Sequence, residues 1–141
     1  MDLSPNDRCP CGTGLKYKKC CRPLHDGVPA PSAEVLMRSR YSAYAAVRAD
    51  YIVRTTHPTS PHREDDEAAW TGDIRRFCRA MTFEGLTVVS VTVGAERATV
   101  EFEARMRQGT RDATMRERSL FFLVDGRWLY HSGERLEPAR A

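Results

Sequence analysis

Four cysteines near the N-terminus have the type and spacing of a metal-binding site. They form two close pairs, Cys9 with Cys11 and Cys20 with Cys21, and residues 12–19 lie between the pairs. A short loop of this kind lets four thiolates reach one tetrahedral cation, whereas adjacent cysteines bridge each other only with strain. The sequence therefore predicts a zinc knuckle that holds one zinc ion per chain.

Three alternatives to zinc on four cysteines stay open at this point. His25 follows Cys21 closely enough to replace one cysteine as the fourth ligand. Four thiolates also bind iron, so the residues alone do not distinguish the two metals. The third alternative is a disulfide-linked extracellular motif, which is disfavoured because the N-terminal residues contain no apolar run typical of a secretion signal.

Basic side chains surround the predicted knuckle. Four thiolates around a divalent cation leave about two units of negative charge, so nearby cations balance the site and still present a basic face. We expect this face to dock an acidic protein partner; a solvated, charge-balanced metal module is the alternative. A main domain large enough to fold alone needs no zinc for stability, which favours docking. The basic residues, with no acidic residue among them, are Arg8, Lys16, Lys18, Lys19 and Arg22.

The composition indicates one folded domain with a small appendage. The chain has 141 residues, 41% of them hydrophobic, and a formal net charge of +3 that is too small to imply nucleic-acid binding. No stretch approaches the length of a membrane span, and we expect a cytoplasmic protein. Prolines after the knuckle indicate a linker between it and the main domain. The predicted regions are the knuckle at residues 1–22, the linker at 23–31, the main domain at 32–136 and a tail at 137–141.

The main domain is predicted to begin with two helices. Ser32 can cap a helix that runs to about residue 48. Asp50 can cap a second, short helix, which the His57-Pro58 step should stop because a residue before proline avoids helical dihedrals. One face of the first helix carries Met37, Tyr41, Tyr44 and Arg48, with Arg40 on its flank.

Two further helices are predicted after a turn. Pro61 suits a first helical position and Thr71 suits a later cap, so the helices are expected over residues 62–70 and 72–80. Cys78 in the second of them is expected to be a small buried hydrophobe rather than a nucleophile. Trp70 and Trp128 are expected to anchor the core.

Beyond Gly85 the hydrophobic period changes to two, which indicates strands. Gly94 and Gly109 mark turns, and Asp125-Gly126 is a strong signal for a two-residue hairpin loop. Helices followed by a meander of four antiparallel strands predict an α+β fold in which the helices cover one face of a curved sheet. The alternating apolar positions are Val89, Val91 and Val93, then Ala98, Val100, Phe102, Ala104 and Met106.

The last hairpin is predicted to be apolar on both faces. Its two-residue loop pairs Leu123 with Trp128, Phe121 with Tyr130 and Ser119 with Ser132, and Glu117 lies on the same face. Because both faces need cover, we expect the opposite face to contact a second copy of the chain, as a homodimer, or the knuckle. That opposite face consists of Leu120, Phe122, Val124 and Leu129.

At these positions the chain resembles the YchJ family of small bacterial proteins, in which a SEC-C zinc motif is joined to a domain like nuclear transport factor two (NTF2-like). The resemblance covers nearly the whole length. The residues that carry it are Cys9-Pro10-Cys11-Gly12-Thr13-Gly14, Tyr17-Lys18-Lys19-Cys20-Cys21, Leu36-Met37-Arg38-Ser39-Arg40-Tyr41, Asp50-Tyr51, His57-Pro58, Glu117-Arg118-Ser119 and Gly126-Arg127-Trp128.

The resemblance implies an NTF2-like cone, zinc on the four cysteines and no firmly assigned activity. A similar SEC-C motif ends the SecA translocation motor, where it resembles a docking tag for a chaperone and the ribosome; ribosome association is therefore an implied partner role. Thr13 stands where the motif usually has serine, and Thr56 where relatives often have tryptophan. Many relatives carry a second SEC-C copy at the C-terminus, which this sequence lacks, so one metal is expected.

A pocket between helices and sheet gives a second functional hypothesis. Glu117 and Ser119 interrupt an apolar sheet face, and buried polar groups need partners. One interpretation is a ligand-binding or hydrolase- or isomerase-type site with Glu117 as base, Arg40 or His57 as charge partner, and Tyr44 or Tyr130 as donor. The other, which we favour, is an internal ion pair between Arg40 and Glu117 that fixes the helix on the sheet. No catalytic residue is assigned, and an adaptor role is preferred to an enzyme.

Overall fold

The computed structural model describes residues 3–137, so the last four residues of the predicted tail lie outside the described part of the chain. Helices come first and strands follow, in an α+β arrangement as predicted. A short 3-10 helix precedes four α-helices and five strands: Tyr17–Lys19; α1 Arg22–His25, α2 Ala33–Ala45, α3 Ala49–Arg54 and α4 Glu67–Ala80; β1 Thr82–Val93, β2 Arg97–Gln108, β3 Arg111–Asp112, β4 Met115–Val124 and β5 Arg127–Leu136.

Helix α2 begins where the sequence predicts. The Ser32 hydroxyl accepts a hydrogen bond from the Val35 amide at 3.1 Å, which satisfies one of the unpaired amides of the first turn. The helix ends at Ala45 rather than near residue 48. Val47 then adopts a φ of 58°, a left-handed conformation that turns the chain out of the helix.

Helix α3 corrects the predicted cap. Arg48, not Asp50, precedes its first residue, and no side chain caps it. Asp50 lies in the first turn, where it contacts the guanidinium groups of Arg48 and Arg54. A carboxylate in this position is favoured by the helix dipole without acting as a cap. The helix ends at Arg54, before the His57-Pro58 step, as predicted.

A single helix, α4, replaces the two that were predicted over residues 62–70 and 72–80. It is capped by Asp66, whose carboxylate accepts a hydrogen bond from the Ala69 amide at 3.0 Å, and Thr71 lies inside it. Asp at the N-cap satisfies the first turn better than Pro61 placed several residues earlier. The apolar stripe of Trp70, Ile74 and Cys78 holds the helix on the core despite its internal glycine.

The strands form one antiparallel sheet in the order β1-β2-β4-β5, with β3 paired to β2. The predicted meander and its last hairpin are confirmed, since Asp125 and Gly126 have φ values of 51° and 78°, as a type I′ turn requires. The pairs of Leu123 with Trp128 and Phe121 with Tyr130 are also confirmed.

The predicted pair of Ser119 with Ser132 is wrong. The register shifts between Leu120 and Phe121, so Ser119 lies opposite Gly133 instead. An extra residue in β5 produces this bulge, which a loop-based register does not reveal. The shift matters for the site, because a side chain at position 133 would collide with the carboxylate of Glu117.

The core lies between the helices and the inner face of the sheet. Trp70 and Cys78 are buried as expected, while Trp128 is half-buried against the core. Burial raises the pKa of the Cys78 thiol to about 11, so it stays protonated at neutral pH. The alternation in β2 is confirmed by its buried residues, but the three valines of β1 are exposed: Val89, Val91 and Val93.

The outer face of the last hairpin is half-buried. Phe122 packs against the rings of His57 and His131, at centroid distances of 5.5 and 5.3 Å. The knuckle does not supply this cover: it is tied to α2 through Arg38, and Gly12 lies beside Leu86 of β1, the edge strand opposite β5. The homodimer stays a prediction. Analytical ultracentrifugation tests it by comparing the sedimentation of the wild type with that of Phe122→Glu. No helix in residues 3–137 is long and apolar enough to span a membrane.

Candidate functional site

The four cysteines of the knuckle converge on one point. Their sulfur atoms all lie within 4.8 Å of one another. The Cys11 and Cys20 sulfurs are 3.5 Å apart, and those of Cys20 and Cys21 are 4.0 Å apart. Zinc–sulfur bonds in a tetrahedron place sulfurs about 3.8 Å apart. The donor set and its spacing therefore position the cluster to bind a metal ion.

Local backbone geometry brings the sulfurs together. The Cys9 amide donates to the Leu15 carbonyl at 2.8 Å, closing the loop that carries the first pair. Gly12 allows this turn because its φ is 87°, where a side chain would be strained. The 3-10 helix Tyr17–Lys19 then delivers the second pair. The Thr13 hydroxyl lies 3.1 Å from the Cys20 sulfur, so the residue that replaces the usual serine contacts one of the four cysteines.

The thiols influence one another strongly. Hydrogen bonds from Cys21 and then Cys9 lower the pKa of the Cys11 thiol well below its ordinary value. The bond with Cys11 raises the pKa of Cys9 to about 12, and the bond with Cys11, with a further contribution from Cys9, raises that of Cys21. The thiols of the cluster therefore do not ionise independently of one another. A divalent cation would stabilise all of them as thiolates.

His25 is not positioned as a ligand, which excludes the alternative of three cysteines and one histidine in this geometry. Its ring is 1% exposed, and both nitrogens are engaged away from the sulfurs. Nε2 donates to the Ser39 carbonyl at 2.8 Å, since that oxygen can only accept. Nδ1 then accepts from the Tyr17 hydroxyl at 2.6 Å. Burial lowers the pKa of His25, so the ring is neutral.

The knuckle is joined to the main domain by more than a linker. Helix α1 spans the predicted boundary between knuckle and linker, and its Leu24 belongs to the main core. Arg38 of α2 donates to the Cys11 carbonyl at 2.7 Å. Arg48 and Arg54 both donate to the His25 carbonyl at 3.0 Å. These contacts fix the orientation of the knuckle on the helices.

The basic face of the knuckle is exposed as predicted. Within residues 3–137, four of its five cations form no ion pair: Arg8, Lys16, Lys18 and Lys19. Arg22 alone of the five contacts an acid, Asp26, at 3.6 Å. The outer face of the sheet differs, since Arg116 and Arg118 both contact Glu101 there.

A cavity of about 520 Å³ lies between the helices and the inner face of the sheet. Five of the six predicted pocket residues line it: Arg40, Tyr44, Glu117, Ser119 and Tyr130. His57 does not, because it lies on the outer face of the sheet. There its Nδ1 accepts from the Thr59 amide and its ring contacts Phe122. The proposed role of His57 as charge partner in the pocket is therefore wrong.

The predicted ion pair between Arg40 and Glu117 is not formed in this structure. The Nη1 atom of Arg40 donates to the Ile52 carbonyl at 3.1 Å, and to the hydroxyls of Thr55 at 2.7 Å and Thr56 at 3.3 Å. Carbonyls at the end of a helix are unpaired and attract cations, which draws the guanidinium to α3. Because the internal ion pair was the alternative to a binding pocket, its absence leaves the pocket as the remaining interpretation.

Glu117 is held on the sheet by a different contact. The Ser119 hydroxyl donates to Glu117 Oε2 at 2.6 Å, and the bulge provides room for the carboxylate beside Gly133. Tyr130 lies under Arg40, whose guanidinium carbon is 4.4 Å from the ring centroid. Burial, and then the charge of Glu117, raise the pKa of Tyr130, so its hydroxyl keeps its proton at neutral pH.

Helix α4 supplies a wall of the cavity that the sequence interpretation did not assign. Trp70, Ile74 and Phe77 line the cavity at the spacing of one helical face, a signal that was available in the sequence. Asp73 on the same helix, with His62 and Glu64 before it, adds polar groups to the lining. The cavity is thus largely apolar with a cluster of polar groups around Arg40 and Glu117.

Taken together, the geometry defines an NTF2-like α+β domain preceded by a four-cysteine motif. The model of the YchJ middle NTF2-like domain matches residues 32–133, and that of the SEC-C motif matches residues 6–23. Because the domain match covers more than half of the chain, the chain belongs to the YchJ family.

Similar proteins come from several bacteria. The chain is 41% identical over 128 residues to a UPF0225 protein of Deinococcus radiodurans, covering 89% of this chain and 88% of that protein. It resembles the solution structure of a SEC-C motif containing protein from Rhodopseudomonas palustris with a TM-score of 0.78 and 37% identity, over 93% and 100% of the two chains. It also resembles the crystal structure of a SEC-C motif containing protein from Psychrobacter arcticus, with a TM-score of 0.79 and 28% sequence identity. That match covers 96% of this chain and 86% of the other.

Proposed function

We propose that this protein is a zinc-binding accessory protein whose knuckle docks an acidic protein partner. The observation that carries this proposal is the contrast between charged surfaces. Arg8, Lys16, Lys18 and Lys19 are exposed and form no ion pair within residues 3–137, whereas Arg116 and Arg118 on the outer face of the sheet both contact Glu101. Unpaired, fixed cations attract an oppositely charged surface and accelerate its association.

The rigid attachment of the knuckle supports the same role. The bonds from Arg38 to Cys11 and from Arg48 to His25 hold the basic face in one orientation. A preorganised surface loses less conformational freedom on binding than a mobile one. By resemblance to the SEC-C motif of SecA, the partner belongs to chaperone, translocation or ribosome machinery. We place the protein in the cytoplasm, where thiols that bind metal are kept reduced.

Site-specific photo-crosslinking in living cells tests the docking face. A crosslinker at Leu15, which is 53% exposed in the knuckle, should capture one acidic protein, whereas a crosslinker at Val93, 69% exposed on β1, should not. The double change Lys18→Glu with Lys19→Glu should abolish that product. Its matched control, Arg111→Glu with Arg127→Glu, makes the same charge change on exposed residues of the sheet and should leave the product intact.

Zinc content is measured on each variant, since Lys18 and Lys19 lie beside a ligand. A product that survives the knuckle reversal, in protein that retains its zinc, contradicts docking through the basic face. A product lost equally in both double variants shows that overall charge, not the knuckle, determines the interaction.

The cavity supports a second candidate function, the binding of a small molecule. Its volume of about 520 Å³ falls in the range of ligand pockets, and Arg40 and Glu117 are not neutralised by each other. Isothermal calorimetry or ligand-observed NMR with a fragment library tests this function. Fragments that bind the wild type but not Ala104→Phe, which fills the cavity, support it; binding unaffected by that change contradicts it.

A further inference from the structure

The cavity contains hydrogen-bond donors that the chain itself does not use. Arg40 is 7% exposed, and its hydrogen bonds to residues 3–137 all leave from Nη1. Among the described residues no buried polar side-chain atom lacks a partner, so Nε and Nη2 of Arg40 must touch open space. The open space beside Arg40 is the cavity. Nε and Nη2 form the edge of a guanidinium that binds a carboxylate through two parallel hydrogen bonds.

Two tyrosine hydroxyls add to these donors. Tyr44 and Tyr130 line the cavity; Tyr44 lies one helical turn after Arg40 on α2, and the guanidinium carbon of Arg40 lies 4.4 Å from the centroid of the Tyr130 ring. Burial raises the pKa of both tyrosines, and the positive charge of Arg40 only partly opposes that rise. Both therefore remain protonated at neutral pH and can donate to an anion beside Arg40.

Glu117 limits the charge that such an anion can carry. Its Oε2 accepts from Ser119, and Oε1 has no partner in residues 3–137. The carboxylate and the guanidinium are not in ion-pair contact, but both influence the hydroxyl of Tyr130. A fixed negative charge in this position repels a second negative charge on the ligand and accepts a hydrogen bond from a neutral group.

Most of the remaining cavity wall is apolar, and His62, Glu64, Asp73 and Arg135 add further polar groups to the lining. Aromatic and aliphatic side chains from α4 and the sheet form it, including Trp70, Ile74, Phe77, Phe102 and Met106. Burial of a hydrocarbon body against such a wall supplies affinity that a carboxylate alone lacks.

We propose that the cavity binds a small hydrophobic monocarboxylic acid, with its carboxylate on Arg40, Tyr44 and Tyr130 and its apolar body against α4 and the sheet. This proposal rests on the ligand-binding role of the cavity given above as the second candidate function. It specifies the chemical class of the ligand and the atoms that recognise it.

Matched acid and amide probes test the class of ligand. Titrations of the ¹⁵N-labelled protein use 3-phenylpropionate against 3-phenylpropionamide, and octanoate against octanamide, followed by NMR. The acids should shift the Arg40 Nε–H signal and the amides of residues 102–106. Each neutral partner should bind more weakly, on the order of tenfold, because it cannot make the charge-assisted pair.

Variants test the placement of the carboxylate. Arg40→Lys keeps the charge but loses the planar edge, and should weaken acid binding on the order of tenfold. Because Arg40 also ties α2 to α3, Glu117→Gln provides a second test that keeps the shape and the Ser119 contact. It should strengthen acid binding about threefold or more by removing a nearby like charge, whereas amide binding should not become stronger. Arg118→Lys on the outer face is the matched control and should change neither.

The outcomes separate this proposal from the one it rests on. Equal binding of acids and amides overturns the carboxylate assignment while the cavity remains a ligand site. Absence of binding by all four probes overturns both. Acid binding that is unaffected by both Arg40→Lys and Glu117→Gln, or shifts confined to the basic knuckle, shows that the carboxylate lies elsewhere and also overturns the assignment.

Discussion

The knuckle and the cavity differ in how their functional groups are distributed along the chain. The four sulfurs of the knuckle come from residues 9–21, and short-range bonds such as that from the Cys9 amide to the Leu15 carbonyl position them. The polar groups at the centre of the cavity, around Arg40 and Glu117, come from α2, β4 and β5, and a bulge and a helix end determine their partners. Spacing in the sequence therefore specifies the first site, whereas only the tertiary fold specifies the second.

Loss of one sulfur should show how far the two regions are independent. We expect Cys11→Ser to abolish tight zinc binding, a loss on the order of 10 kcal/mol in structural zinc sites of this kind. Hydrogen exchange should show lost protection in residues 9–21, while β2 and β4 keep theirs, because Leu24 and the sheet belong to the main core. Lost protection in β2 would instead show that the two regions fold as one unit.

The next largest effect should distinguish Arg40 from Glu117. Arg40→Met removes three hydrogen bonds and the contact with Tyr130, and should lower the free energy of unfolding by about 2–4 kcal/mol. Glu117→Gln should cost less than about 1 kcal/mol, since the Ser119 hydroxyl keeps an acceptor. Urea unfolding of both variants is the measurement. An equally large loss of unfolding free energy in both variants would instead support the predicted ion pair between Arg40 and Glu117, which the structure does not contain.

His25 tests the junction between the regions. His25→Ala removes the partner of Tyr17 and of the Ser39 carbonyl in a buried site, and should cost about 2–3 kcal/mol. The pKa of His25 is lowered by burial, so the unfolded chain binds its proton more readily. The stability from the neutral ring is therefore complete above about pH 6.5 and is lost as the pH falls from there toward the lowered pKa.

Between about pH 8 and pH 5, the free energy of unfolding should therefore decrease more steeply with falling pH in the wild type than in His25→Ala. Tyr17→Phe is the matched control, since it removes one hydroxyl but keeps the histidine. If the free energy of unfolding depends on pH identically in the wild type and His25→Ala, the buried neutral ring of His25 does not stabilise the junction as proposed.

The smallest expected effect checks the corrected helix starts. Asp66→Ala removes the cap of α4 and should cost about 1 kcal/mol, whereas Asp50→Ala removes exposed ion pairs and should cost less than about 0.5 kcal/mol. Thermal unfolding at matched ionic strength compares the two. A larger loss for Asp50→Ala would favour the cap that the sequence predicted.

Much of the fold was predictable because its signals are local. The Ser32 cap, the Asp125-Gly126 turn and the alternation in β2 each depend on a few neighbouring residues, and all are confirmed. The two-helix interpretation of residues 62–80 was wrong because two weak start signals were preferred to the Asp66 cap between them. Helix and strand periods alone do not rank competing caps.

The cavity was predictable in its residues but not in its contacts. Arg40, Glu117 and Tyr130 were identified from helix and strand faces, and the structure brings them to one cavity. The partners of Arg40 were not predictable, since Thr55 and Thr56 reach it only through the packing of α3 on α2. The position of Gly133 opposite Ser119 depends on a bulge that leaves no turn signal in the sequence.

The metal content of the purified protein tests the central claim most directly. Native mass spectrometry of the wild type, expressed without added metal, should show one zinc ion per chain, and Cys20→Ser should lose it. His25→Ala should keep it, because the His25 nitrogens bond to Tyr17 and Ser39 rather than to the metal. A chain that holds no zinc or only iron, or a Cys20→Ser variant that keeps its full zinc content, would contradict the four-cysteine zinc knuckle and with it the docking role.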